Sequence, residues 1–511
     1  CNDAGYDAWC KDQGNAGSCP PPQCIQTPPT PTPTPVGPIN PVVVRGNFLY
    51  DAVTHERFFA KGVAYNPRNT HFAAPDFKTE NTTCVGGTPT LAKLEYSGDV
   101  IADGQEELWR PALTAIADAG ANVIRLYNID PELGHARFMD AAAALGIYVI
   151  VPLTRHNWGF LPAGSPSPSC YAGRIPGYGN VGANLLTSAK LIVKQFSNWT
   201  NVLAFNVANE LTVATKTGYA AYPCVKALTR DIHRYQAECA SSMRKIPLMY
   251  SDMDMGAGYR LDVAEYLTCS LESDDDAIDM FGLNVYSWCE PAYPGADGKD
   301  DFTYSPYYPI QQEFKAFGKP LIFAEFGCNE GGFKSTCPYS GGRTWPQVQT
   351  FFNQFSEILS GAIAFEFSME QSEFGLALTP GFLEGQDELY LLPDYYALQT
   401  EFKKYSVAPT WNGGPAWTLE TVCSWVPTHT APLSQIHQKA VCPTPMRVQA
   451  IFKGNGLKGQ PNWASLPPSP EGADQDELAD CPEYQLTAVE ARESSCGLAI
   501  VMPTPKASSP A

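Results

Sequence analysis

Short apolar runs recur along the chain at 61–65, 122–127, 147–151, 202–206, 246–250, 280–286, 321–324 and 362–365. Between them lie segments whose apolar residues return at helical spacing, such as 183–199, 222–240 and 345–360. Strand–helix alternation of this kind predicts a parallel sheet. Eight repeats predict an α/β fold of the closed (β/α)8 TIM-barrel type, with its working residues at the C-terminal ends of the strands.

Two of these runs end in a carboxylate. Glu210 follows 201–209, and Glu325 follows 320–324, the fourth and seventh strands in order. Desolvating an unpaired carboxylate is costly, so a buried strand has no use for one, whereas a strand end facing a cleft does. Two carboxylates across one barrel mouth suit retaining glycoside chemistry, which needs them about 5–5.5 Å apart. Asn209-Glu210 alone would read as a helix cap. The second carboxylate on strand seven decides for the cleft.

Composition narrows the partners. The 511 residues carry a formal net charge of −19, which argues against nucleic acid or an anionic membrane surface. The acidity fits a neutral substrate, although solubility alone would explain it. An aromatic content of 12% fits stacking on sugar rings. No stretch approaches the ~20 apolar residues of a membrane span. The 16 cysteines form no CxxC pair and no Cys/His cluster at zinc-ligand spacing, so neither a metal nor another cofactor is expected. Disulfides in an oxidising compartment are the better account. Asn81 and Asn198 open N-glycosylation triplets, which agrees with secretion. No leader-like segment precedes Cys1, so a mature, processed, secreted protein is expected, at the cell surface, in the cell wall or free outside the cell.

The ends differ from the middle. Residues 1–25 hold Cys1, Cys10, Cys19 and Cys24. So short a piece needs disulfides to hold it, and it could bind carbohydrate or act as a cap. Alternating Pro and Thr predict an extended linker over 26–41 that offers O-glycan sites. The barrel is expected over 42–408 and a cysteine-containing appendage over 409–500, with Cys423, Cys442, Cys481 and Cys496. The low-complexity tail 501–511 is followed by no hydrophobic anchor-transfer segment. A C-terminus processed on lipid anchoring, or a chain that carries no anchor, is the expectation.

The segments 122–131, 244–247, 281–289 and 323–329 resemble the β-1,3-glucanosyltransferases of glycoside hydrolase family 72, fungal-type cell-wall enzymes. The resemblance spans roughly 45–405. It implies a retaining enzyme that cleaves a β-1,3-glucan and passes the new reducing end to another glucan chain. It makes Glu325 the nucleophile and Glu210 the acid/base, with Asn209 on the sugar 2-hydroxyl. Arg125 and Tyr286 match positions from which they would hydrogen-bond Glu325. Tyr127, Asp254 and Arg260 match substrate-site residues. Tyr65, ending the first strand, is a further candidate sugar contact. Trp158 and Trp288 follow strands three and six and could be sugar platforms or core. The resemblance also implies a Cys289–Cys328 disulfide and a bridge from Cys269 to a cysteine beyond the barrel, with Cys423 the candidate.

Two positions depart from the family pattern. Pro152 lies where the segment after strand three usually offers an Asp, and Phe365 replaces a Tyr at the end of strand eight. Both changes remove polar groups from the cleft. Three other readings therefore stand beside the transglycosylase: a hydrolytic endo-β-1,3-glucanase, a wall-binding lectin, and a structural surface or extracellular-filament protein, self-assembling on a barrel of weak or no activity.

Overall fold

The computed structural model describes residues 39–67, 99–154, 185–211, 222–270, 274–330, 332, 340–370, 372–383, 386–405 and 481, and the backbone of 417–421 and 424–427. The N-terminal cysteine module, residues 26–38 of the Pro/Thr linker, Asn81, Trp158, Cys423, Cys442, Cys496 and the tail lie outside them.

Eight parallel strands close into one barrel. In chain order they are β4 (Ala60–Ala64), β5 (Val123–Arg125), β6 (Tyr148–Pro152), β7 (Val202–Asn209), β8 (Leu248–Met253), β9 (Met280–Val285), β10 (Leu321–Phe326) and β11 (Leu359–Ala364). Closure comes from β11 pairing with β4. Each strand is followed by a helix: α1 (Glu106–Asp118), α2 (Ala136–Ala144), α3 (Leu185–Phe196), α4 (Tyr222–Glu238), α5 (Tyr259–Thr268), α6 (Tyr307–Phe314), α7 (Pro346–Asn353) and α8 (Pro393–Lys404). The strands are buried on both faces, and this explains why they read as continuous apolar runs rather than alternating ones. Phe281, Leu283 and Val285 of β9 pack outward into the large strand–helix core. Met280, Met249, Ile322 and Ile363 belong to a second cluster that fills the barrel.

Two features differ from expectation. Helix α7 covers only Pro346–Asn353, and Leu359 and Ser360 already belong to β11. The apolar repeat runs on through Phe355 and Ile358, but the parallel ladder of Leu359 with Leu321 takes the end of that stretch into the sheet. The second is a three-stranded antiparallel sheet ahead of the barrel: β1 (Val42–Arg45), β2 (Phe48–Asp51) and β3 (Arg57–Phe58). It covers the N-terminal end of the barrel. Val42 and Leu49 join the interior cluster, and Arg57 donates to Leu359 O at 2.9 Å.

Short antiparallel pairs complete the described residues: β12 (Ala377–Leu378) with β13 (Tyr390–Leu391), and β14 (Trp417–Thr421) with β15 (Ser424–Pro427). A disulfide joins Cys239, just beyond α4, to Cys481, 242 residues later. Cys224 and Cys269 are disulfide-bonded as well. The partner of Cys269 lies outside the described residues, as does its expected mate Cys423. Asn198 is exposed in the turn after α3, as a glycosylation triplet requires.

Candidate active site

Glu210 and Glu325 both sit at the C-terminal mouth, and in both strands a bulge precedes the carboxylate. The β7–β8 register shifts between Asn206 and Asn209, and the β10–β9 register between Phe323 and Glu325. Without the second bulge the two-residue alternation of β10 would send Glu325 outward with Phe323. Instead Phe326 takes the outward position in the core. A bulge re-aims a side chain in this way, at the expense of one ladder position. Glu210 itself has a φ of 46°, unusual for a residue with a Cβ. Two bonds from β8 hold it there: Glu210 N–H to Ser251 O at 3.0 Å, and Leu211 N–H to the Tyr250 hydroxyl at 3.3 Å.

Three donors converge on Glu325, which is 5% exposed. Arg125 Nη1 and the Tyr127 hydroxyl both reach Oε1 at 2.8 Å, and the Tyr286 hydroxyl reaches Oε2 at 2.6 Å. Burial, with the charge of Glu325 beside them, pushes both phenols well above the usual tyrosine range, so both remain donors. Arg125 is wholly buried on β5 and also donates to Ala324 O at 2.7 Å and to Asn209 Oδ1 at 2.5 Å.

Glu210 has a different environment. Its Oε1 accepts one hydrogen bond, from Asn284 Nδ2 at 2.8 Å. Burial first, and then the charge of Glu325, push its carboxyl up to about 7, against the opposing effects of Asn284 and Arg125. Glu210 is thus raised toward the range of a general acid, whereas Glu325 is held by three donors.

The other expected residues fall into two groups. Arg125, Tyr127, Asn209 and Tyr286 are brought together around the two carboxylates. Asp254 and Arg260 lie one strand away and engage each other, with Arg260 Nη1 at 2.8 and 3.0 Å from the two Asp254 oxygens. Arg260 Nε also bonds Glu313 at 2.7 Å, so the pair braces the β8–α5 loop against α6. Tyr65 is a correction: it is buried edge-on against Phe367 in the main core rather than exposed on the cleft. Trp288 is also core, packed against Tyr293 and Tyr307. Phe365 lies between the tyrosines, 6.3 Å from the Tyr127 ring and 5.8 Å from that of Tyr286, and forms an apolar wall there. Pro152 ends β6, buried and paired with Asn206.

Sequence reasoning missed Asn284 and Asp252. Asn284 stands two residues before Tyr286, a spacing that places both on one face of a strand. Buried Asp252 accepts from the Tyr222 hydroxyl at 2.5 Å and adds to the field at Glu210. Among the described residues no group of three or more His, Cys, Asp or Glu could hold a metal ion, and no helix is long and apolar enough to cross a membrane.

The loops beyond Tyr286 and Glu325 are tied together. Cys289 and Cys328 form a disulfide with Cα atoms 5.0 Å apart, and Gly332 N–H donates to Cys289 O at 2.9 Å. Replacing both cysteines with serine is expected to destabilise the protein by about 2–4 kcal/mol and to lower its activity, as the walls around Tyr286 and Glu325 loosen. Calorimetry and a rate assay on the double variant check this. Non-reducing peptide mapping that found either cysteine as a free thiol would refute the bridge.

The comparison with known proteins decides the family. The glucanosyltransferase model of glycoside hydrolase family 72 matches residues 35–406. The chain belongs to this family. Among the relatives, 1,3-beta-glucanosyltransferase GAS5 of Saccharomyces cerevisiae is 28% identical over 375 residues, covering 73% of this chain and 64% of that protein. The gel1 enzyme of Aspergillus fumigatus is 29% identical over 369 residues, covering 72% and 66%. The chain thus spans just under two thirds of the length of these relatives. Saccharomyces cerevisiae Gas2p in complex with laminaripentaose superposes with a TM-score of 0.53 at 27% identity, over 72% of this chain and 69% of that one. The family-72 match ends at 406 and so leaves the C-terminal segment with Cys481 outside it.

Proposed function

We propose that the chain is a retaining β-1,3-glucan transglycosylase acting outside the cell on wall glucan. The observation that carries this reading is the pairing of a three-donor carboxylate, Glu325, with a carboxyl held near neutrality, Glu210, in one barrel mouth.

Glu325 attacks the anomeric carbon, and the bond to the leaving glucan oxygen breaks as Glu210 gives that oxygen its proton. Arg125, Tyr127 and Tyr286 hold the attacking carboxylate in position. The resulting ester links the sugar to Glu325. A hydroxyl of a second glucan then gives its proton to Glu210 and attacks the same carbon, and Glu325 leaves with its bonding electrons. Two inversions give net retention. Asn209 orients the sugar 2-hydroxyl. The apolar wall at Phe365 suits a sugar face, and the family membership and the laminaripentaose complex of Gas2p support a β-1,3-linked donor.

The first step needs protonated Glu210. With its carboxyl near 7, the basic limb of kcat/KM should bend there and fall tenfold per unit above it. Incubation with laminari-oligosaccharides tests the whole reading. Products longer than the donor are expected. Shorter products alone would make the enzyme a hydrolase, and an unchanged donor would overturn catalysis in favour of a binding or structural role.

A further inference from the structure

Asn284 stands where the hydrogen-bonding systems of the two carboxylates meet. It is 2% exposed on β9. Its Nδ2 donates to Glu210 Oε1 at 2.8 Å and approaches Asn209 Oδ1 at 3.3 Å. Arg125 Nη2 donates to the same Asn209 oxygen, and Arg125 Nη1 donates to Glu325. A continuous chain of side chains therefore runs from Glu325 through Arg125, Asn209 and Asn284 to Glu210.

This chain fixes the Asn284 amide one way round. Arginine can only donate, so Asn209 must present its carbonyl oxygen to Arg125. Asn284 must then present its amino group to Asn209. Turned over, it would set its own oxygen against two acceptors, Asn209 Oδ1 and Glu210 Oε1. The second amide hydrogen is thereby aimed at Glu210 Oε1, and among the described residues no other side chain donates to that carboxyl. An oxygen that accepts an N–H bond is a poor place for the acid's proton.

We infer that Asn284 is the positioning residue of the acid/base: its amide holds Glu210 Oε1 and reserves Oε2 for the proton passed to and from glucan oxygens. The inference rests on the assignment of Glu210 as acid/base. It adds which oxygen works and what sets its charge. A donor to the carboxylate stabilises the charged form. Asn284 and Arg125 on β5 thus oppose burial, Glu325 on β10 and Asp252 on β8, while the Tyr250 and Tyr286 phenols also face the group. Because Arg125 orients Asn284 through Asn209, the amide also couples the position of the acid to that of the nucleophile.

The test is Asn284→Leu, close in volume and lacking the donor, with Asn284→Ala as the smaller substitute should Leu fail to fold. The Glu210 carboxyl is titrated by NMR on protein labelled with 13C at the glutamate side-chain carboxyl, its signal assigned by loss in Glu210→Gln. Loss of one charge-assisted hydrogen bond should raise its midpoint by about one pH unit. The basic limb of the kcat/KM profile on laminari-oligosaccharide should move up with it. At pH 8, activity on glucan should then fall less steeply than in wild type. Loading from an aryl glycoside with a good leaving group, which needs no proton, should lose less rate than cleavage of glucan. An unmoved midpoint and an unmoved limb, whatever the loss in rate, would make Asn284 a packing residue and overturn the inference. If wild type turns over no glucan, the assignment of function fails, and the NMR midpoint still decides the role of Asn284.

Discussion

Glu325→Gln should reduce turnover of β-1,3-glucan by at least ~10⁴-fold, the scale on which losing a covalent nucleophile is felt. The amide keeps the shape of the side chain, and its oxygen can still accept from Arg125 or Tyr286. It cannot form the ester. The effect of removing Glu210 should depend on the substrate. Glu210→Ala should lose glucan cleavage, because the leaving oxygen of a sugar needs a proton. It should still load a donor whose leaving group departs unaided, and the trapped ester should then accumulate. Azide separates the two roles. With Glu210→Ala, azide attacks the ester from the acceptor side and gives a β-azide of retained configuration. With Glu325→Ala, azide occupies the space of the nucleophile and gives an inverted α-azide. A retained product from the Glu325 variant would exchange the roles assigned here.

How far the sequence could lead is visible in particular elements. The eight strands were legible because a strand buried on both faces needs an apolar residue at nearly every position, and runs such as 202–206 and 321–324 supply it. Glu210 and Glu325 were legible as carboxylates terminating such runs. The bulges that aim them were not. A one-residue shift in register is a property of two strands together, and nothing local in Phe323–Phe326 announces it. The covering sheet β1–β3 was hidden by its short strands, of four, four and two residues.

Asn284 shows a signal that was present and unused. It shares strand parity with Tyr286, and a polar residue on the inward face of a buried strand should have been followed to a partner. Tyr65 shows the reverse. Its place at a strand end suggested a cleft residue, but only the neighbouring turn, with Phe367, reveals that the ring is covered. The Cys239–Cys481 bridge depends on where the chain returns after leaving the barrel, and cysteine spacing carries no such information.

Arg125→Met should destabilise the protein by about 3–5 kcal/mol and remove most activity. Arg125 is wholly buried, and its guanidinium carbon lies 4.5 Å from the centroid of the Tyr127 ring. Its two Nη atoms serve Ala324 O, Glu325 and Asn209 together. Methionine fills the volume but leaves the Glu325 charge buried with only two phenol donors. The loss therefore reflects an uncompensated carboxylate more than lost packing. Adding Glu325→Gln to the same chain tests this. The double variant should recover much of the stability, because the stranded charge is gone, and urea denaturation of the two single variants and the pair measures the coupling. Arg125→Lys should restore stability in part and activity hardly at all. One ammonium can sit beside Glu325, but it cannot also hold Ala324 O and fix the Asn209 amide. A single Arg125→Met variant within about 1 kcal/mol of wild type would show that the Glu325 charge is balanced elsewhere. Equal losses in the single and double variants would show that the arginine acts by packing alone.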